Sequence, residues 1–240
     1  MKKLFFILIL TNYSLFIYAQ VFGFSSGFLG VIDLNKIRYY EFNNNNATWE
    51  EGEDIVFDIP NGYKSVIGLG SWMPGVLIGR NIKIYDYNNR NDTWEEKEST
   101  LFNLPNSYKS VFRFNGFDLG VVVDYNVRIY QFYDRADRWE ELDYMSFTLP
   151  ETYQNVFGLA WNMLAIVFDK NIRIYWFNEN TCKWEENKNA EFNLPSDYIN
   201  VFAIGENKFG IIVGNIICFY EFNFYDGKWV ENESERFLIN

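Results

Sequence analysis

A tryptophan returns every 45 residues along this chain of 240 residues, and no insertion or deletion interrupts the interval. The five positions are Trp49, Trp94, Trp139, Trp184 and Trp229. Four prolines, each followed three positions later by a tyrosine, keep the same spacing: Pro60, Pro105, Pro150 and Pro195, with Tyr63, Tyr108, Tyr153 and Tyr198. A fixed period of about 20–50 residues is typical of repeat architectures. We therefore expect one closed domain, residues 20–240, built from near-equal units 21–65, 66–110, 111–155, 156–200 and 201–240.

Each repeat reads as four short β-strands. In the first copy they are VFGF, LGVID, KIRYYEF and a segment that begins at TWEE and runs towards the proline. Runs rich in Val, Ile, Tyr and Phe, broken by Gly, Asn or Pro, are typical of strands. The third strand has apolar side chains on both faces, Ile37 and Tyr39 on one and Tyr40 and Phe42 on the other. Because both faces need cover, neighbouring sheets must sandwich each unit. The sequence predicts an all-β fold, a five-bladed β-propeller of five 45-residue four-stranded repeats.

The repeated tryptophan fits a packing role. A hairpin between the third and fourth strands places Phe42 across from Trp49, and Tyr40 across from Glu51. Cross-strand aromatic pairs stabilise sheets, so we interpret the five tryptophans as structural residues. The alternative is a set of five sugar sites. The two acids after four of the five tryptophans, Glu50 and Glu51 in the first copy, point to opposite faces and are expected to pair with Arg38 and its equivalents or to face solvent.

The first 19 residues have the pattern of a secretory signal peptide. Lys2 and Lys3 precede the apolar run Leu4–Leu10, and Ala19 is a small residue before a possible cleavage point. The predicted location is therefore secreted, periplasmic or cell-surface, with no transmembrane segment in the mature chain. The alternative is a retained membrane anchor, but Thr11 interrupts the run well short of the roughly 20 apolar residues that a span needs.

Several kinds of chemistry lack their usual residues. The chain has no histidine, so it lacks the commonest general base and metal ligand, and two cysteines form no zinc-thiolate cluster. A formal net charge of −11 opposes binding to nucleic acid. A glycoside hydrolase needs only two carboxylates, but the predicted inner strands carry none. We expect no enzyme activity, no cofactor and no metal.

Candidate ligand-binding residues lie where the copies differ. The loop after the first strand varies most and carries Trp72, Phe117 and Trp161, while Trp176 is a further aromatic residue outside the period. Filling of irregular gaps is the alternative role for these side chains. Asp124 and Asp169, in the loops between the second and third strands, mark a second candidate surface on the opposite face.

Two covalent features stay open at this stage. Cys182 and Cys218 occupy non-equivalent repeat positions, and a disulfide between them is possible in an exported chain. Asn46, Asn91 and Asn232 lie in N-x-[ST] sequons, which are glycosylated only in a suitable host.

Two families resemble this repeat. The run FNLPNSYKSVF, residues 102–112, followed by VRIYQFY, resembles the hemopexin repeat, in which a proline precedes an inner strand. Repeat length, blade number and a tryptophan in each copy are similar to tachylectin, a five-bladed lectin. Both resemblances imply a propeller used for binding. Haem binding is not implied, because the histidines that hold haem have no counterpart here.

The sequence thus predicts an exported, non-catalytic binding module that contacts a protein through one propeller face. A lectin-like module that binds a saccharide is the alternative, and a glycoside hydrolase is a distant third. We also expect the first and fifth copies to meet through side-chain packing alone, through the Ile217/Phe219 or the Tyr220/Phe222 face of the fifth copy. Without a backbone ladder, this junction is expected to be the weakest in the ring.

Overall fold

The computed structural model describes residues 20–24, 28–205 and 207–239, apart from the side chains of residues 53 and 54. The predicted signal peptide, residues 1–19, lies outside the described residues. None of the helices within the described ranges is long and apolar enough to cross a membrane.

The chain forms five antiparallel sheets, and each sheet takes its strands from one continuous stretch of sequence. The first strands are β1 (Gln20–Gly23), β5 (Tyr63–Leu69), β10 (Tyr108–Asn115), β15 (Asn155–Ala160) and β20 (Tyr198–Gly205). The second strands are β2 (Phe28–Asp33), β6 (Met73–Ile78), β11 (Asp118–Val123), β16 (Met163–Val167) and β21 (Lys208–Val213). The third strands are β3 (Lys36–Asn43), β7 (Asn81–Asn88), β12 (Asn126–Tyr133), β17 (Asn171–Asn178) and β22 (Ile216–Asn223). Strand β5 starts before the predicted repeat boundary at Val66, because Tyr63 already pairs with Ile78.

The fourth strand is less regular than the sequence predicts. It is β4 (Thr48–Asp58), β8 (Thr93–Glu96), β13 (Arg138–Glu141), β18 (Lys183–Glu186) or β23 (Lys228–Glu231). Only β4 runs on unbroken towards the proline; after the others, one 3₁₀ turn intervenes, at Glu98–Thr100, Asp143–Met145, Lys188–Ala190 or Glu233–Glu235. A two-residue strand then returns to pair with the third strand: β9 (Phe102–Asn103), β14 (Phe147–Thr148), β19 (Phe192–Asn193) or β24 (Phe237–Leu238). Each turn buries one side chain, at Thr100, Met145, Ala190 or Glu235.

The predicted hairpin register is observed in all five sheets. Phe42 lies across from Trp49 and Tyr40 across from Glu51, and the same pairing recurs at Tyr87/Trp94, Phe132/Trp139, Phe177/Trp184 and Phe222/Trp229. The ring centroids of these five aromatic pairs are 5.1–5.4 Å apart. The sequence therefore placed the aromatic pairs on the correct strands and in the correct register.

The first strands surround the axis of the ring and pack against one another, and β1 also packs against β20 to close the circle. The fold is a five-bladed β-propeller. At three of these contacts the backbones approach so closely that only glycine fits. A Cβ atom on Gly23 would lie 2.3 Å from the carbonyl oxygen of Ala203, and one on Gly158 would lie 2.0 Å from that of Phe114. Gly68 meets the Gly23 oxygen in the same way, at 2.3 Å.

Each repeated tryptophan ties its blade to the preceding one. Its indole N–H donates to a backbone carbonyl of that blade: Trp94 to Val56 (3.1 Å), Trp139 to Thr100 (2.9 Å), Trp184 to Met145 (3.0 Å), Trp229 to Ala190 (2.7 Å) and, closing the ring, Trp49 to Glu235 (2.5 Å). The acceptor is the residue buried by the 3₁₀ turn in four cases. It shifts by one position, to Val56, in the blade whose fourth strand is unbroken.

The junction between the fifth and first blades packs through the face predicted for it. Ile217 and Phe219 of blade five share a buried cluster with Leu29 and Val31 of blade one. The described sheets are separate, so no backbone ladder joins these blades, as predicted, but the bond from Trp49 to Glu235 adds a hydrogen bond to the packing. No β-ladder of the described strands crosses the other four junctions either, although single backbone hydrogen bonds cross two of them, from Gly70 to Gly116 at 2.8 Å and from Asn207 to Leu159 at 3.1 Å. The lack of a backbone ladder therefore gives no reason for this junction to be the weakest.

Candidate functional site

The antiparallel order of strands gives the ring two different faces. One face, which we call the loop face, carries the hairpins between the first and second strands and between the third and fourth strands. The opposite face carries the hairpins between the second and third strands, together with the P-x-x-Y connections between blades. Residues that vary between repeats lie on both faces.

Blades four and five carry several exposed aromatic side chains on the loop face. Trp161, in the hairpin after β15, is 47% exposed. Trp176 is half-buried and lies beside Phe222 and Phe224, with ring centroids 6.3 and 6.2 Å away. The indole N–H of Trp176 is buried and has no hydrogen-bond partner in the described part of the chain. Tyr225, at the tip of the last hairpin, is 100% exposed. Trp161, Phe224 and Tyr225 lie in hairpins of blades four and five on this face, and Trp176 lies near the end of strand β17.

Trp72 and Phe117 lie on the same face but also contribute to packing. The Trp72 ring rests on Phe28 of blade one, with centroids 4.2 Å apart. Phe117 lies near Phe132 of its own blade, and the Lys97 ammonium of blade two lies 5.7 Å from its ring centre. Both residues fill gaps between blades, although Trp72 remains 37% exposed.

The structure separates Asp124 and Asp169 from the candidate tryptophans. Both aspartates lie in exposed hairpin turns on the opposite face of the ring. Asp124 has a positive φ of 57°, which it shares with Leu34, Gly79 and Gly214 at the equivalent hairpin position. A small polar residue that tolerates the left-handed conformation satisfies this turn. The geometry of Asp124 is thus explained by the hairpin itself.

The paired acids stabilise the hairpins. Glu51 accepts a hydrogen bond from Arg38 Nη1 at 2.7 Å, and Lys83 and Glu96 pair at 2.9 Å in the next blade. Glu50 accepts hydrogen bonds from the side-chain amides of Asn46 and Asn43, which lower its pKa. This agrees with the predicted cross-strand pairing.

A groove of about 1410 Å³ opens on the outer side of the junction between blades five and one. Its wall includes Tyr40, Trp49 and Phe237, and two arginines, Arg38 and Arg236, flank it. Its rim includes two exposed leucines, Leu34 and Leu238. The sequence did not predict this groove, because it forms between residues from the two ends of the propeller.

Arg113 is a residue that the sequence-based search missed. It lies on the inner strand β10 and is only 7% exposed, and none of the residues that the structure describes forms a hydrogen bond with its Nη1 atom. The signal was present in the repeat alignment. The equivalent positions are Gly23, Gly68, Gly158 and Ala203, so a single arginine stands in a column of small residues.

Cys182 and Cys218 are both free thiols, which answers the question of a disulfide. Burial raises the pKa of the Cys218 thiol, whereas Cys182 is exposed at a hairpin turn. Within the described ranges, no group of three or more cysteine, aspartate or glutamate side chains is arranged to hold a metal ion.

No protein-family model matches the chain, and no curated protein matches it. Solved structures do resemble it. A protein of unknown function from Desulfotomaculum acetoxidans is 9% identical with a TM-score of 0.45, covering 90% of this chain and 68% of the other. A candidate 6-phosphogluconolactonase from Bacteroides uniformis is also 9% identical with a TM-score of 0.45, covering 90% and 70%. Hsv2p from Kluyveromyces lactis is 16% identical with a TM-score of 0.42, covering 92% and 73%.

Proposed function

We propose that this chain is an exported, non-catalytic propeller that binds a protein partner through its loop face. The observation that carries the proposal is the group of aromatic side chains at the junction of blades four and five: Trp161, Trp176, Phe224 and Tyr225. These residues lie in or beside hairpins of blades four and five and outside the repeat period, so the fold alone does not require them at these positions.

Aromatic residues with a rigid ring and an exposed face are enriched at the energetic centres of protein interfaces. Trp161 presents nearly half of its surface to solvent, and Phe224 and Tyr225 are more exposed still. Single exposed aromatic residues are common on protein surfaces, but several on adjacent loops form a patch that a partner could cover. The net charge of −11 favours a partner that is neutral or basic where it makes contact.

Saccharide binding is the second candidate, and one observation favours it. The buried indole N–H of Trp176 has no acceptor among the described residues, and the open ring of Trp161 lies on the same blade and the same face. A sugar hydroxyl could accept this hydrogen bond while a pyranose ring stacks on Trp161. Glycoside hydrolysis remains the third candidate, and the absence of acids from the five described inner strands weighs against it.

The test uses the secreted chain in two parallel assays, a glycan array and affinity capture followed by mass spectrometry. We expect Trp161→Ala to keep a near-native melting temperature and to lose the ligand found by either assay. Leu34→Ala is the matched control, because Leu34 is 87% exposed on the opposite face. Retention of binding by Trp161→Ala, or its loss in both variants, would refute a loop-face site.

Export is tested separately by expressing the full chain in a secreting host. We expect the protein in the medium or periplasm, with an N-terminus at or close to Gln20. A product that stays in the cell with residues 1–19 attached would contradict the proposed leader.

A further inference from the structure

One position on the inner strands has a different side chain in blade three from that in every other blade. Gly23, Gly68 and Gly158 occupy it in blades one, two and four, and Ala203 occupies it in blade five. At each glycine, an added Cβ would collide with the backbone of the preceding blade. Close packing of the inner strands therefore calls for a small residue here. Arg113 has the largest side chain in this column, and packing gives no reason for it.

The side chain of Arg113 lies between the inner strands of blades two and three. Phe112 and Phe114 face blade four, in a cluster that includes Leu159. Val111 faces blade two, and since side chains alternate along a strand, Arg113 faces that way as well. The Gly70 N–H donates to the Gly116 carbonyl at 2.8 Å, so the loops of these blades meet at the end of the strands nearest to Arg113.

Arg113 is an uncompensated buried cation among the described residues. No described carboxylate forms an ion pair with it, and its Nη1 atom is fully buried without an acceptor. Burial lowers the pKa of the Arg113 guanidinium to about 10, so the group still carries its charge at neutral pH. Buried charges in proteins are normally paired, because leaving one unpaired is costly.

We propose that Arg113 binds a small oxyanion, a carboxylate or a phosphate, between the inner strands of blades two and three. The planar fork of a guanidinium suits such an anion, because two N–H groups can donate to two of its oxygens. Arg113 lies two residues before the end of β10 at the loop face, so the ligand enters from that face. This proposal is independent of the loop-face partner proposed above.

The experiment measures the thermal unfolding of the whole protein in increasing inorganic phosphate and, separately, in increasing acetate, with sodium chloride holding the ionic strength constant. Ligand that binds only the folded state raises its melting temperature. Above the dissociation constant, each tenfold increase in the bound anion should raise it by about 3–5 °C. The arm that responds shows whether phosphate or carboxylate is preferred.

Arg113→Met should abolish this response, since it keeps an unbranched side chain and removes the charge. Arg128→Met is the matched control, because Arg128 is partly exposed on strand β12, pairs with Glu141 and should leave the response intact when changed. Should Arg113→Met fail to fold, Arg113→Lys serves instead. It keeps the charge, loses the fork, and should weaken anion binding at least tenfold. No rise with either anion, or an undiminished rise in the Arg113 variant, would overturn the proposal.

Discussion

The repeated tryptophan combines two interactions that a smaller aromatic residue could not combine. Its ring packs across the hairpin on an aromatic partner, and its N–H reaches a carbonyl of the preceding blade. For Trp139 these partners are Phe132, at 5.3 Å between centroids, and the Thr100 oxygen, at 2.9 Å. The second contact explains why tryptophan, rather than Phe or Tyr, returns in every repeat.

Two substitutions at Trp139 separate these contributions. Trp139→Phe removes the N–H and should cost about 1–2 kcal/mol, mostly from the lost hydrogen bond. Trp139→Ala also removes the ring and should cost about 3–5 kcal/mol. Urea unfolding gives both values, and exposed Trp161 changed to Phe is the control, with an expected cost below about 0.5 kcal/mol. A Trp139→Phe variant as stable as the wild type would show that the interblade bond contributes nothing.

Asp118 should make stability depend on pH. Burial raises its pKa to about 6, against a hydrogen bond from Gln131 that lowers it. From about pH 4 upwards the unfolded chain loses this proton before the folded protein does, so stability falls as pH rises to 6. We therefore compare the free energy of unfolding of Asp118→Asn with that of the wild type at two pH values. The difference should be about 1–2 kcal/mol more in favour of the variant at pH 7.5 than at pH 4, a range that is reduced because Asp118 is partly exposed. Urea melts at the two pH values decide this, and an equal difference at both would contradict it.

At the scale of the element, the hairpin between the third and fourth strands imposes a left-handed residue at one position. Ala47, Asp92, Asp137 and Cys182 have φ values of 52–54° there, and Gly227 has 64°. Glycine adopts this conformation without the steric cost that a Cβ brings. Only the last hairpin therefore has the residue best suited to its turn.

Exchanging residues between the hairpins tests this cost. Ala47→Gly should stabilise the protein by about 0.5–1 kcal/mol, and Gly227→Ala should destabilise it by about 1 kcal/mol or more. Differential scanning calorimetry of both variants should show melting temperatures that move in opposite directions. Changes of the same sign would mean that local strain does not control these turns.

Prediction from sequence succeeded where the pattern is local and failed where it depends on distant neighbours. The alternation of side chains along KIRYYEF was enough to predict a strand and the face on which each side chain lies. The spacing from Phe42 to Trp49 was enough to predict the register of the hairpin. The 3₁₀ turn at Glu98–Thr100 has no such periodic signal, because it accommodates one buried residue against the next blade. The hydrogen bond from Trp139 to Thr100 joins residues of different blades, so it could be identified only from the structure of the whole ring. Arg113 was visible in the alignment, but its burial became evident only with the inner strands in place.

At the scale of the whole molecule, the ring closes through the same kind of contact that joins its other blades. Trp49 donates to Glu235 as its equivalents do to their acceptors. The difference is a buried ion pair between Lys208 and Glu235, whose side chains are 13% and 9% exposed. Blade four has Met163 and Ala190 at the same two positions. Blade five, at the closing junction, thus holds two charges where blade four holds an apolar pair.

Replacing Lys208 and Glu235 by the residues found at the same positions in blade four tests the contribution of this ion pair. Lys208→Met alone and Glu235→Ala alone each leave a buried charge unpaired and should cost about 3–5 kcal/mol. The double variant Lys208→Met/Glu235→Ala should be close to the wild type or more stable, because both charges are gone. A double variant as unstable as either single variant, measured by urea unfolding, would show that the ion pair stabilises the protein more than the apolar pair does.

The indole bonds all point the same way around the ring, since each blade donates from its hairpin and accepts at the end of its own fourth strand. In the terms used for oligomers, this is a heterologous contact, in which two different surfaces of one unit meet. Such contacts produce either a closed ring or an open filament, depending on whether the rotation between units divides a full turn. Here it is one fifth of a turn, so the single chain has the geometry of a cyclic pentamer whose subunits are joined end to end. A chain with one repeat removed would keep a donor surface and an acceptor surface that no longer meet without strain, and its favoured outcome is head-to-tail association with other copies.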